Sequence, residues 1–267
     1  MQHSTRPIDE GRELCTGTET AMKSRVIDPP PNVLTPPITD IGAAYNQVGQ
    51  GYVAYADGDT QRLFAFEALH SYADRRLWLR VRASLRDLRK AGADSVSILD
   101  AGCGAGIWLR SAVSYARALG FSTITARGFD FADTQIRRAH ALAQDLAQLP
   151  GIHLTFEVAD LRERLPESDA SVDIALCLYS VLSHLPVKNV PEVIAEIARV
   201  TRGHVATTVR SVGSTPTIFV ASLDRARHFQ LDHDTDQCEF ELAGGRRVVL
   251  ASALIKVAIV SASSMGP

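Results

Sequence analysis

Ile98-Leu99-Asp100-Ala101-Gly102-Cys103-Gly104-Ala105-Gly106 is the stretch on which the fold of this chain turns. Residues 96–99, Val96-Ser97-Ile98-Leu99, are a short β-rich run that an acidic residue closes. Three glycines spaced G-x-G-x-G follow, and they open residues 107–119, whose apolar positions recur at helical spacing until Gly120. A strand that passes through a glycine loop into a helix is the first half of a βαβ unit.

The same grammar repeats downstream. Further strands are predicted at 123–130, 152–158, 172–178 and 204–209, with helices at 134–149, closed by Pro150-Gly151, and at 189–201. Strand and helix in alternation, joined by short connections, predict an α/β fold: a doubly wound, mostly parallel sheet with helices on both faces. Past Ser211 the alternation stops. Cys238, Phe240 and Leu242 share one face of a period-2 run, Ala243-Gly244-Gly245 turns the chain, and 246–260 returns, which reads as a C-terminal antiparallel hairpin.

Upstream, residues 1–38 are polar and end in Pro29-Pro30-Pro31-Asn32-Val33-Leu34-Thr35-Pro36-Pro37, where missing amide donors work against helix and sheet, so a disordered leader is expected. Residues 39–95 carry Tyr45, Tyr52 and Tyr55 and then a helical pattern from 61 to 91, with Ser71 a cap candidate and Gly92 its stop. They are expected to form a helical lid over a core spanning 96–260, with 261–267 as a tail.

With 46% hydrophobic residues the chain can fill a sizeable core, and a net charge of −2 gives no overall attraction for a polyanion, so nucleic acid is disfavoured as a partner. The four cysteines, Cys15, Cys103, Cys177 and Cys238, form no C-x-x-C pair, which points to a reducing cytosol rather than a disulfide framework or a zinc site. No apolar run reaches the roughly 18 residues that span a bilayer, so the expectation is a cytoplasmic protein with no membrane partner.

In doubly wound sheets the ligand lies beyond the carboxyl ends of the strands, and three acidic residues stand there. Asp100, at the head of the glycine loop Ala101, Gly102, Gly104 and Gly106, would repel a pyrophosphate but suits a ligand carrying an ammonium and a sulfonium. The third glycine also falls one position short of the G-x-G-x-x-G dinucleotide pattern. Asp130, in Gly128-Phe129-Asp130-Phe131, can accept from both hydroxyls of a ribose, and Phe131 can pack on an adenine. Asp160 can accept from an adenine amine while the backbone amide of Leu161 donates to the ring.

In this combination the stretch from 96 to about 209 resembles a class I S-adenosylmethionine-dependent methyltransferase, with its glycine motif at 98–106, its acidic ribose position at Asp130 and its acidic adenine position at Asp160. The resemblance implies S-adenosylmethionine as cofactor, backbone near Cys177 and Leu178 touching it, and substrate-facing groups after the fourth strand. Ala195-Glu196-Ile197-Ala198-Arg199-Val200-Thr201-Arg202-Gly203 resembles the helix and turn before the fifth strand. The family's sheet usually has seven strands and closes with an antiparallel pair around a further helix. Here a tight hairpin is expected instead, hence an incomplete seven-strand sheet. The fourth strand also lacks an Asn-Pro-Pro-Tyr type sequence, which points to a small-molecule methyl acceptor rather than a DNA base.

His184, just past the fourth strand, is the candidate general base, against the plainer reading that it packs its turn. Tyr45 and Tyr52 could cover the site or simply pack the lid. Asp133 is expected to cap the following helix, and Cys103 to be a small residue that fits its loop. The run from His228 to Asp236 has metal-ligand residue types but no metal-site spacing, and reads as solvated; no metal is expected. The expected activity is methyl transfer to a small-molecule oxygen, nitrogen or carbon nucleophile. A catalytically silent cofactor-binding or regulatory protein is the rival from another class, and a nicotinamide-dependent oxidoreductase the weaker one.

Overall fold

The computed structural model describes residues 40, 43, 46, 72–209, 226–232, 237–242 and 247–251. The expected leader 1–38, Tyr45, Tyr52, Tyr55, the tract 252–260 and the tail 261–267 lie outside the described residues.

Helix α1 (Tyr72–Lys90) precedes β1 (Ser95–Ala101), α2 (Ile107–Ala118), β2 (Thr123–Asp130), α3 (Asp133–Ala147), β3 (Ile152–Val158) and β4 (Val172–Cys177). Two short 3-10 turns, Val181–His184 and Val187–Asn189, lead into α4 (Val190–Val200) and β5 (Thr201–Thr207). The five strands form one all-parallel sheet of order β3-β2-β1-β4-β5. Successive strands step outward from β1 on one side, then the chain crosses back to β4 on the other. The strand order therefore reverses between β1 and β4, and a crevice opens at their carboxyl ends.

Period-2 alternation feeds two cores, one on each face of the sheet. Val96 and Ile98 of β1 and Ile174 and Leu176 of β4 pack with Trp78, Leu85, Leu109 and Val113 from α1 and α2. Their neighbours Leu99, Ala101, Ala175 and Cys177 pack with Val193, Ile197 and Val200 of α4. All six residues of β4 are buried, which explains its unbroken apolar text apart from Asp173. That one carboxylate is 5% exposed and fully used: Ser97 N donates to it at 2.8 Å and Arg202 Nε at 2.7 Å, so it ties β1, β4 and β5 together.

Helix stops follow the glycines. Gly92 has φ +88°; its amide donates to Arg89 O and that of Ala93 to Leu88 O, the paired bonds of a left-handed C-terminal cap. Gly120 closes α2 in the same way, with φ +85° and bonds to Arg117 O and from Phe121 to Ala116 O.

Two expectations need correction. Strand β5 starts at Thr201, so Thr201-Arg202-Gly203 is strand and not a turn before it. A Cβ on Gly203 would stand 2.2 Å from Asp173 O, so the glycine marks close strand approach at a bulge rather than a bend. The expected hairpin is present as β7 (Gln237–Leu242) and β8 (Arg247–Ala251), paired antiparallel in a three-stranded sheet separate from the parallel one. Its first strand, β6 (Ala226–Asp232), takes in His228 and Asp232 from the run read as solvated. Phe229 and Leu231 are too short an alternation to announce a strand that its pairing with β7 creates. Finally, Asp133 is not the cap of α3. Ala132 holds that position, and Asp133 sits in the first turn paired with Arg137. No helix among the described residues is long and apolar enough to cross a membrane.

Candidate active site

The crevice between β1 and β4 is where the glycine loop stands. Its three glycines all have positive φ: +75° at Gly102, +53° at Gly104 and +73° at Gly106. They are glycine for different reasons. A Cβ on Gly102 would come within 2.6 Å of Val181, and one on Gly106 within 2.6 Å of Phe156, so both are held small by the protein's own packing. A Cβ on Gly104 would meet nothing within 4 Å, so this is the glycine whose bare backbone faces open space.

The loop's donors turn inward. Gly102 N and Cys103 N both donate to Phe129 O at 2.9 Å, Gly106 N to Cys103 O at 2.9 Å, and Gly104 N to Asp130 Oδ2 at 2.9 Å. A phosphate cradle presents such amides to the ligand; here four of them are already committed to protein acceptors.

Asp100 ends up deeper than its place at a strand tip suggests. It is 2% exposed, and its Oδ2 has no hydrogen-bond partner among the described residues. Burial, and then the nearby charge of Asp130, push its carboxyl up to about 7, against a smaller opposing pull from the Leu109 amide in the first turn of α2. Asp130, at the end of β2, is half-buried and accepts Gly104 N on Oδ2 and Ala132 N on Oδ1, both at 2.9 Å. Its burial raises it despite these amides. Two acidic groups thus face one crevice, one of them with an open oxygen and each raised first by burial.

The remaining expected site residues distribute around this pair. Phe131 follows Asp130 and is 38% exposed, an apolar ring left uncovered at the strand end. Asp160 lies in the turn after β3, but both its oxygens are taken by Arg162: the backbone amide at 2.9 Å, Nε at 3.0 Å and Nη2 at 2.5 Å. That guanidinium holds Asp160 below the usual carboxylate range. Leu161 is buried and packs against Leu99 and Ala101 in the α4-side core. Cys177 and Leu178 are buried at the end of β4, and burial pushes the Cys177 thiol up to about 12. The Cys177 carbonyl accepts Thr208 N at 3.1 Å.

Directly after β4, Tyr179 and Ser180 have φ +55° and +63°. Consecutive left-handed non-glycine residues are uncommon, and such strain gathers at working sites. Tyr179 Oη accepts Trp108 Nε1 at 2.9 Å, which fixes the strained turn to α2, and the next residue, Val181, is the one that packs on Gly102. The sequence contained no signal for this strain. His184 ends the 3-10 turn that follows and is 8% exposed, within the protein rather than on its surface. The Cys103 thiol is raised well above its ordinary value by burial and by Asp100 and Asp130, which makes it a poor nucleophile.

Two more polar residues at this end of the sheet were not singled out in the sequence. Asn46 Oδ1 accepts both Thr134 N (3.1 Å) and Thr134 Oγ1 (2.7 Å), capping α3 from far upstream. Gln135, in the first turn of α3, is 3% exposed and its Oε1 has no partner among the described residues.

Residues 98–204 match the family model described as a methyltransferase domain. No curated protein matches the chain. Among solved structures, the chain is similar to the PH0226 protein of Pyrococcus horikoshii OT3 at 18% identity, over 69% of this chain and 79% of that one, with a TM-score of 0.46. It is also similar to magnesium protoporphyrin IX methyltransferase of Synechocystis PCC 6803 with bound SAM, at 18% identity over 81% of this chain and 98% of that one, TM-score 0.46. Residues 98–204 thus combine the strand order and glycine loop of a Rossmann-like sheet with the match to a methyltransferase domain.

Proposed function

We propose that this protein transfers the methyl group of S-adenosylmethionine to an oxygen, nitrogen or carbon nucleophile of a small molecule in the cytosol. The observation that carries the cofactor half of this reading is Asp100 Oδ2, a buried carboxylate oxygen with no donor among the described residues, beside a glycine loop four of whose amides are spent. Such an oxygen calls for a cationic donor, and the site offers no comparable welcome to a pyrophosphate. The residues fit the cofactor in other respects too: Gly104 leaves room for close approach, and the exposed Phe131 offers a face for a base.

When bound, S-adenosylmethionine supplies a methyl carbon already activated by its sulfonium. The protein's work is then alignment and exclusion of water. In this reading Asp100 receives the ammonium, Asp130 the ribose hydroxyls and Phe131 the adenine ring, while the backbone of Ala101, Gly102, Gly104 and Gly106 and of Cys177 and Leu178 lines the methionine end. Asp160 can take the adenine amine only when Arg162, which is half exposed, releases one of its contacts; the Leu161 amide beside it donates to the ring. His184 stands as the base for acceptors that must lose a proton, its turn held against the glycine loop through Val181 and Gly102.

Calorimetric titration with S-adenosylmethionine and with NAD tests the cofactor: saturable binding of the first and none of the second is expected, with Asp130→Ala weakening it by tenfold or more on the order of a lost charged hydrogen-bond acceptor. Binding of NAD alone would overturn the reading. Transfer of labelled methyl to a metabolite library then tests the reaction, and binding without labelled product would identify a silent cofactor-binding protein instead.

A further inference from the structure

Arginines around the parallel sheet come with carboxylates: Arg127 pairs with Glu157 and Glu167, Arg199 with Glu196 and Asp169, and Arg202 with Asp173. Helix α1 departs from this rule. Among the described residues its Arg76, Arg80, Arg82, Arg86 and Lys90 have no carboxylate partner, and of its basic side chains Arg89 is tied to Asp94. The helix holds seven basic and two acidic side chains. In a chain with 28 basic and 30 acidic residues, that leaves 21 against 28 for everything else. A net charge of −2 thus hides a cationic helix on an anionic body.

Helical geometry gathers the unpaired charges on the outer side of α1. Trp78, Val81 and Leu85 are buried against the core, while Arg76, Arg80 and Lys90 are exposed and Arg82 and Arg86 lie half-buried along the flank. From Arg76 to Lys90 the row extends about 21 Å at about 1.5 Å per residue. Asp87 is the one carboxylate within it. Two of the five cations are also fixed in place. Arg82 stacks over the Tyr115 ring of α2 at 4.6 Å, and Arg86 Nη1 donates to Tyr115 Oη at 3.3 Å. Tyr115 in turn meets Trp78 edge to face, with ring centroids 6.0 Å apart. Burial pushes its phenol up, but hydrogen bonding and charge from Arg82 and Arg86 outweigh that and bring it below its ordinary range. Arg82 Nε is buried with no acceptor among the described residues. Positive charge held this firmly without a counter-charge calls for an anionic partner.

Three features decide which anion. Six of the seven basic side chains are arginines, whose planar fork meets a carboxylate or a phosphate through two parallel bonds. The outer arc from Arg76 to Lys90 has no aromatic residue, because Trp78 is turned inward, so it offers neither a stacking platform for bases nor an anchor for a bilayer. A long polyanion or a membrane plane would also meet the acidic remainder of the body, whereas a short acidic segment meets the helix alone. Arginine and tyrosine on a rigid element are, besides, the side chains that protein interfaces favour.

We propose that the outer face of α1 is a docking surface for a carboxylate-rich segment of a partner protein, with Arg82 and Arg86 beside Tyr115 as its fixed centre and Arg76, Arg80 and Lys90 around them. None of these residues belongs to the groups assigned to S-adenosylmethionine. The test is fluorescence anisotropy of a labelled oligoglutamate peptide at about 0.15 M salt, with the wild type, Arg82→Gln/Arg86→Gln and Arg76→Gln/Arg80→Gln. The wild type should bind the peptide saturably and more weakly as salt rises. Each double variant should bind it about tenfold more weakly, with a shallower salt dependence. Both should keep the wild-type affinity for S-adenosylmethionine. Arg76 and Arg80 are exposed, so their variant reads docking even where Arg82→Gln/Arg86→Gln loosens the packing at Tyr115. A single-stranded oligonucleotide and vesicles of phosphatidylcholine with phosphatidylserine are the rival anions, and tighter binding of either than of the peptide overturns the assignment to a protein partner. A wild type that ignores the peptide, or equal peptide affinity in all three proteins, overturns the surface itself.

Discussion

Asp100 holds its proton up to about pH 7, whereas in the unfolded chain it would ionise near 3.8. The native state therefore binds the proton more tightly than the unfolded state. Its stability contribution is full below about pH 4 and is lost as pH rises through 7, an effect on the order of 4 kcal/mol. Asp100→Asn removes the charge that must be buried at high pH. Chemical denaturation of the unliganded variant should show it more stable than wild type at pH 8, with the advantage shrinking as pH falls and gone below about pH 4, while its affinity for S-adenosylmethionine falls. A variant that is less stable at both pH values would sink this account. The glycines next to it separate packing from ligand access. Gly106→Ala drives a Cβ into Phe156 at φ +73° and should cost several kcal/mol, of order 3, in unfolding free energy. Gly104→Ala meets open space and should cost only about 1 kcal/mol, the left-handed backbone penalty, yet weaken cofactor binding the more. Sequence marked all three glycines alike; only the neighbours Val181 and Phe156, brought in from β4's exit and from β3, distinguish them.

At the scale of elements, the helix that follows the ribose position is capped by a residue from another part of the chain. Asn46 supplies the acceptor for Thr134 N where local sequence offers Ala132, which has none. Asn46→Ala should lower stability by about 1 kcal/mol, as loss of an N-cap does, measured by thermal or chemical melting. No change in stability would show that water replaces the cap without loss. A local reading selects Asp133 because an acidic residue before a helix is a common cap. It has no means of seeing an acceptor 88 positions away. Strand β5 was misjudged for a related reason. Thr201-Arg202-Gly203 is polar and glycine-bearing, which reads as a turn, but the Arg202–Asp173 contact and the close approach at Gly203 draw it into the sheet. By contrast β1, β2, β3 and β4 were legible almost to the residue: β4, buried at every position, writes a nearly unbroken apolar run, and the other three are β-rich stretches bounded by turn residues.

For the whole molecule, a ligand that binds only the native state must raise its melting temperature. At a concentration 100 times its dissociation constant, S-adenosylmethionine should add about 2.7 kcal/mol, and NAD at the same concentration nothing. A thermal-shift series reads this directly, and a shift with NAD but none with S-adenosylmethionine would contradict the proposed function. The sequence by itself determined the alternating strand and helix order, the glycine loop and the acidic residues Asp100, Asp130 and Asp160 at strand ends, because periodicity and turn chemistry are local properties. Tertiary structure decided what those residues can do. Among the described residues it put one oxygen of Asp100 out of reach of any donor, occupied Asp160 with Arg162, strained Tyr179 and Ser180 at the exit of β4, and left Gln135 buried with an unmet carbonyl. Burial and hydrogen-bond satisfaction depend on neighbours far apart in the chain, and no reading along one strand of text contains them.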